Sequence, residues 1–152
     1  TDILAPGRFM SSKLEVLASH CLEVLDPMFA SNVKPGDILI AGKNFGVGSS
    51  REQAAQALKY LGISAVIAKS FAGIFYRNAI NLGLPVLIGN ASDIVQSGIR
   101  ANLTIETGLL ELIEEAKIIS CEPMPKFLLE LIEAGGLVPH LERRFAKEKI
   151  IQ

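Results

Sequence analysis

The stretch GKNFGVGSSREQA, Gly42 to Ala54, decides how this chain is read. Three glycines, two adjacent serines and an arginine stand where a helix is about to begin. Gly46 and Gly48 allow turns that a Cβ would block. Ser50 followed by Gln53 fits the S/T-x-x-E/Q capping box, which predicts a helix N-terminus. Free N–H groups and a partial positive charge collect at such a terminus, so it attracts anions. Arg51 adds a full charge and a planar fork matched to carboxylate or phosphate.

The elements on either side are of the α/β kind. Pro35-Gly36 predicts the centre of a type II turn. The run ILIAG, 38–42, then reads as a short buried strand feeding the glycine loop. From Ser50 to Leu61 the spacing of Ala54, Ala57, Leu58 and Leu61 predicts a helix with a core-facing stripe. Gly62 follows where a C′ glycine belongs. A strand over 63–68, a helix over 71–82 stopped by Gly83, and a strand over 85–88 complete a strand–helix alternation.

Upstream, residues 1–12 read as a loop. Residues 13–25 place Leu14, Leu17, Ala18, Cys21, Leu22 and Leu25 on one helical stripe, ended by Asp26-Pro27. Downstream, 103–107, 109–113 and 117–122 read as strands with short turns, hence antiparallel pairing. A helix over 126–134 ends at Gly135-Gly136, and a basic amphipathic tail follows. The whole predicts an α/β fold: a mixed β-sheet or barrel with flanking helices. One domain over residues 1–152 is expected, with a few residues missing before Thr1.

Composition narrows the function classes. The chain has 152 residues, 49% apolar and 20% charged, which is globular in character. Lys and Arg total 15 against 16 Asp and Glu. That balance argues against a nucleic-acid or membrane-surface partner. No apolar run reaches the ~18 residues of a bilayer span. Cys21 and Cys121 show no C-x-x-C spacing, so neither a disulfide framework nor a Cys-ligated metal is expected, and two reduced thiols fit a cytoplasmic protein.

Several uses of the glycine loop fail on pattern. A P-loop needs Gly-Lys-Ser/Thr, which does not occur. A dinucleotide fingerprint needs a third glycine where Arg51 stands. A serine-hydrolase elbow needs G-x-S-x-G and a placed histidine. Two readings remain. One is a carboxylate-binding helix terminus with a hydroxyl beside a guanidinium. The other is a tight turn with a serine cap and a surface arginine. Arg8 is a candidate second carboxylate ligand or an exposed loop arginine. His20 reads as a helix-surface or partly buried histidine. Lys69-Ser70-Phe71 sits at a strand C-terminal end, where sites often form.

Two long blocks, VKPGDILIAGKNFGVGSSREQA (33–54) and GISAVIAKSFAGIFYRNAINLGLPVL (62–87), resemble the small subunits of the isopropylmalate isomerase and homoaconitase group. That group lies within the aconitase family of hydro-lyases. The opening TDILAPGRFM, the segment LASHC and the late EPMPKFLLELIEAGGLVPHL extend the resemblance over nearly the whole chain.

The resemblance implies a β/β/α swivelling domain, active only with a large subunit in a heterodimer or heterotetramer. That partner would carry a 4Fe-4S cluster, and this chain would hold no cofactor. Ser49 matches the family's general base. Ser50 and Arg51 match its substrate-carboxylate contacts. The substrate would be a hydroxy di- or tricarboxylic acid: isopropylmalate of leucine biosynthesis first, then homoaconitate-type or methylated-malate substrates. Phe9, Met10, Ser11 and Ser12 match the segment that selects the substrate's variable group. Ser11 stands where relatives carry Arg or Tyr, so neither an extra carboxylate nor a bulky alkyl group is clearly favoured. Val47 replaces a common Cys, and Gln53 a common His. A non-catalytic carboxylate-binding regulatory module is the alternative from another class.

Overall fold

The structure, a computed structural model, describes residues 1–48 and 51–150, the last four by backbone alone. A 3-10 turn, Gly7–Phe9, precedes α1 (Leu14–Ser19) and α2 (Phe29–Asn32). Next come β1 (Ile38–Ala41), α3 (Glu52–Tyr60), β2 (Ala65–Ala68), α4 (Gly73–Asn81) and β3 (Val86–Ile88). Strands β4 (Ala101–Thr104), β5 (Leu109–Leu112) and β6 (Lys117–Ser120) follow, then α5 (Lys126–Ala134) and α6 (Leu137–Ile150).

Parallel strands need long crossovers, and α3 and α4 provide them. β1, β2 and β3 pair in that order, all parallel. β4, β5 and β6 form an antiparallel meander. The strands do not close into the barrel kept open as one expectation. Among the described residues they form two three-stranded sheets, joined by a bridge between Gly89 and Cys121.

Side-chain alternation explains the layering. Leu39, Val66 and Val86 face a core shared with α1, α3 and α4, where Leu17, Leu58 and Phe75 are buried. The neighbouring Ile38, Ile40, Ile67 and Leu87 point the other way, onto Leu110, Leu112 and Ile119 of the second sheet. The parallel sheet is thus the middle of three layers, β/β/α. Covering both faces accounts for its nearly continuous apolar runs. The exposed Glu111 between buried Leu110 and Leu112 marks a sheet with one wet face.

Glycine stops the helices as expected. Gly62 has φ +92°, its N–H donates to Lys59 O, and Ile63 N–H donates to Leu58 O. Those two bonds form a Schellman motif, which needs a left-handed residue. Gly83 and Gly135 repeat the bond pattern after α4 and α5. The Pro35-Gly36 turn closes with Asp37 N–H on Lys34 O at 3.0 Å.

Several boundaries differ from the sequence reading: the strand expected over 103–107 runs Ala101–Thr104, with the chain turning from Ile105, and two helices are shortened. The helix expected over 13–25 ends at Ser19, with His20 as its C-cap. Leu22 adopts φ +58° and gives its N–H to Ile3 O at 3.0 Å. A tertiary bond to the opening segment therefore overrides the helical pattern, and Leu25 is left 71% exposed. The other helix starts at Glu52 rather than Ser50, with Arg51 in the N-cap position. α2 and the 3-10 turn carry too few residues for a readable period. Among the described residues no helix is long and apolar enough to cross a membrane.

These placements separate two leucines that share a periodic pattern. Leu58→Ala is expected to cost about 2–5 kcal/mol, as buried leucines do, while Leu25→Ala stays within about 0.5 kcal/mol. Urea unfolding of both variants checks the contrast; equal losses would restore the longer helix.

Candidate active site

The chain leaves β1 and β2 at the same edge of the parallel sheet, the end where α/β folds place ligands. The two exits are stitched together. Lys69 N–H donates to Gly42 O at 3.2 Å, and Phe45 N–H to Ser70 O at 2.9 Å. Asn44 N–H donates to Ser70 Oγ at 2.8 Å, and Ala72 N–H to Phe45 O at 2.9 Å. Ser70 is therefore a latch on the glycine loop.

An aromatic floor supports the loop from below. The Phe45 ring meets Phe71 and Phe75 edge-on, with centroids 6.0 and 5.1 Å away. Such T-shaped pairs add to simple area burial. Gly46 lies directly on this floor with φ +79°. A Cβ there would stand 2.3 Å from both Cβ and Cγ of Phe75. The second glycine of the motif is thus set by close approach as well as by backbone conformation.

The opening segment crosses above. Thr1 Oγ1 donates to Gly46 O at 2.8 Å. Leu4 and Ala5 are buried in the helical core. Arg51 reaches up from the start of α3, and its Nη1 donates to Ala5 O at 3.0 Å. The same atom pairs with Asp2 Oδ1 at 2.7 Å. A Cβ on Gly7 would stand 3.6 Å from Arg51 Nη2. Arg51 is about a quarter exposed, with Val47 open on the loop beside it. Its guanidinium thus sits at the rim of the site, already holding one carboxylate.

The rest of the opening loop is clasped differently. Arg8 is not turned onto Arg51's partners; its Nη2 pairs with Glu23 Oε1. Its Cζ lies 4.8 Å from the Phe9 ring centroid. Phe9 stacks on His20 at 3.7 Å with a 7° tilt. His20 Nδ1 lies 2.5 Å from Glu23 Oε2. The His20 hydrogen bond, and then the Arg8 charge, hold the Glu23 carboxyl below its ordinary range. Phe9 and Met10 pack against the helical core, whereas Ser11 and Ser12 are exposed.

Of the residues singled out by sequence, Arg51, Arg8, Phe9, Met10, Ser11 and Ser12 are placed here. Ser49 and Ser50 lie outside the described residues. Lys69 is paired with Asp93 at 2.6 Å, and that hydrogen bond lowers the Asp93 carboxyl. An open groove of about 590 Å³ runs past Lys69, Asn90, Ser120 and Glu122, beside the glycine loop and not over Arg51. Asp2, Glu23 and the bridging role of His20 escaped the sequence reading. The only available signal was the polar Thr1-Asp2 pair, which says nothing about its partner.

Comparison with known proteins agrees with this geometry. A family model described as the Aconitase C-terminal domain matches residues 7–90, which include the clasped loop and the glycine loop. The 3-isopropylmalate dehydratase small subunit of Halothermothrix orenii is 48% identical over 93% of this chain and 87% of its own length. The isopropylmalate/citramalate isomerase small subunit of Methanocaldococcus jannaschii is 44% identical over 98% of this chain and 90% of its own. A crystal structure of 3-isopropylmalate dehydratase from that organism superposes with a TM-score of 0.93 at 43% identity, over 99% of this chain and 90% of that one.

Two measurements test the construction. Gly46→Ala forces a left-handed alanine into Phe75 and is expected to cost about 1–3 kcal/mol in thermal or urea unfolding; an unchanged Tm would contradict the close approach. The second concerns acid. A carboxylate with a depressed folded pKa stabilises the fold above its unfolded value, about 4.3, and that stability goes as pH falls through the folded value. As pH falls below the ordinary glutamate range and through the folded value, the Glu23 contacts are therefore expected to release Phe9, read as a shift of its ring resonances by NMR. Glu23→Gln is expected to remove that step.

Proposed function

Because this chain belongs to the aconitase family, with dehydratase small subunits as relatives at 44–48% identity, we propose that it is the small subunit of a two-chain hydro-lyase interconverting 2- and 3-isopropylmalate in leucine biosynthesis. The observation that carries this reading is Arg51: a guanidinium at the rim of the glycine loop, 2.7 Å from one carboxylate oxygen and anchored on Ala5 O. A malate-type substrate brings carboxylates of the same kind.

In this reading Arg51 and Ser50 grip the carboxylate next to the carbon that loses its proton. Ser49 takes that proton. A serine hydroxyl is a weak base until its alkoxide is stabilised. The N-terminus of α3 and the Arg51 charge supply fixed positive potential next to it in sequence. Proton loss pushes negative charge onto the gripped carboxylate, so the same groups hold the transition state more tightly than the ground state. Arg8, the other candidate carboxylate ligand of the sequence, is held by Glu23 and would have to exchange that partner to meet the substrate's other carboxylate. The whole chain would work as one swivel domain.

A 4Fe-4S cluster does not fit this chain's own donors. Cys21 and Cys121 lie in different core clusters, and burial pushes the Cys21 thiol up to about 12. Among the described residues no group of three or more His, Cys, Asp or Glu is set to hold a metal. In this reading the cluster belongs to the large subunit. The half-open position of Arg51 suits a site that a second chain completes.

A second substrate deserves equal testing. The Methanocaldococcus jannaschii relative is named for isopropylmalate and citramalate. Ser11, small and exposed, imposes neither charge nor bulk on the selecting segment. The two malates therefore form the first panel.

Co-expression with the large subunit, then assay of both malates, tests the proposal. Ser49→Ala is expected to lower kcat by about 10²–10⁴-fold with KM little changed. Arg51→Lys keeps charge but loses the fork, and is expected to raise KM by about 10- to 100-fold. Retained turnover in Ser49→Ala would remove that residue from the base role. Dicarboxylate binding with no stimulation of any large subunit would favour a regulatory module.

A further inference from the structure

Four side chains close a ring at the back of the opening loop. Arg8 and Phe9 come from the loop; His20 is the C-cap of α1, and Glu23 lies in the turn that follows it. Arg8 pairs with Glu23, Glu23 meets His20 Nδ1 at 2.5 Å, His20 stacks on Phe9 at 3.7 Å, and Phe9 lies 4.8 Å from the Arg8 Cζ. Glu23 is only 19% exposed despite its charge.

The scaffold beneath the ring is rigid. His20 stands between buried Ala18 and buried Cys21. Leu22, at φ +58°, holds a left-handed backbone that leucine rarely adopts, and strain of that kind concentrates where structure serves a function. Three bonds pin it: Leu22 N–H to Ile3 O, and Leu25 N–H and Asp26 N–H to Leu22 O. The strained turn is what returns Glu23 to the face of His20. On the loop side, Ser12 N–H donates to Phe9 O at 2.9 Å, so the place of Phe9 fixes where Ser11 stands.

We propose that His20 and Glu23 are positioning residues for substrate selection: by clasping Phe9 and Arg8 they fix the segment through Ser12, and with it the size of group the enzyme accepts, without touching substrate. The proposal rests on the reading of residues 9–12 as the selecting segment. A freed loop would accept isopropyl- and methyl-substituted malates more evenly, because discrimination needs a wall that does not move.

The test uses the reconstituted two-chain enzyme with those two malates, and His20→Ala, His20→Phe and Glu23→Gln. In His20→Ala and Glu23→Gln, KM for the preferred malate is expected to rise about tenfold, with kcat within about twofold. The ratio of kcat/KM between the malates is expected to shrink by about fivefold. His20→Phe keeps an aromatic face for Phe9 and is expected to restore most of the ratio. A separate arm needs no turnover. Hydrogen exchange of the Met10 and Ser12 amides in the full chain is expected to quicken about tenfold in His20→Ala. An unchanged malate ratio, or unchanged exchange, overturns the clasp. So does a variant whose kcat and KM worsen alike for both malates in step with a lower Tm. If the wild-type pair turns over neither malate, the functional reading falls, and the exchange arm alone decides the clasp.

Discussion

A single guanidinium joins the two segments on which the site depends. Arg51 Nη1 reaches Ala5 O at 3.0 Å and Asp2 Oδ1 at 2.7 Å. The bond to Ala5 O ties the residue that precedes α3 to the opening segment. The Arg51 side chain makes no capping bond to the first turn of α3; it turns instead to the opening segment. The opening segment is held in turn by Leu4 and Ala5, both buried in the helical core. Charge, backbone and core are thus coupled at one residue.

The three-layer arrangement explains why the candidate site lies at one end of the parallel sheet. The parallel sheet is covered on one face by helices and on the other by the antiparallel sheet. The central strand β2 is wholly buried, and the loops leaving the strands reach the surface. Where β1 and β2 end, the glycine loop lies over Phe45, Phe71 and Phe75 and is latched by Ser70. That floor gives a glycine-rich loop a fixed shape, the condition for placing donors before a substrate arrives.

Much of this was legible in the sequence, and the reasons differ by element. The parallel strands and their crossovers follow from apolar runs and glycine stops, because both faces of the sheet are buried. That Arg51 is suited to a carboxylate follows from its guanidinium at a helix start, and in the structure the carboxylate it meets is that of Asp2. Its partner Asp2 was not legible, since nothing local links residue 2 to residue 51. Glu23 was hidden for a related reason: the helical stripe through Leu22 is interrupted by a bond to Ile3 that no local pattern encodes. A barrel and two layered sheets share the same strand spacing, and the strand pairing, β1-β2-β3 apart from β4-β5-β6, tells them apart.

Burial of both thiols has a practical consequence. Cys21 is fully enclosed, and Cys121 is 7% exposed, with burial raising each above its ordinary value. Thiolate, and not thiol, reacts with alkylating reagents. Iodoacetamide labelling at neutral pH is therefore expected to leave Cys21 silent, while Cys121, which lines the open groove beside Lys69, labels slowly.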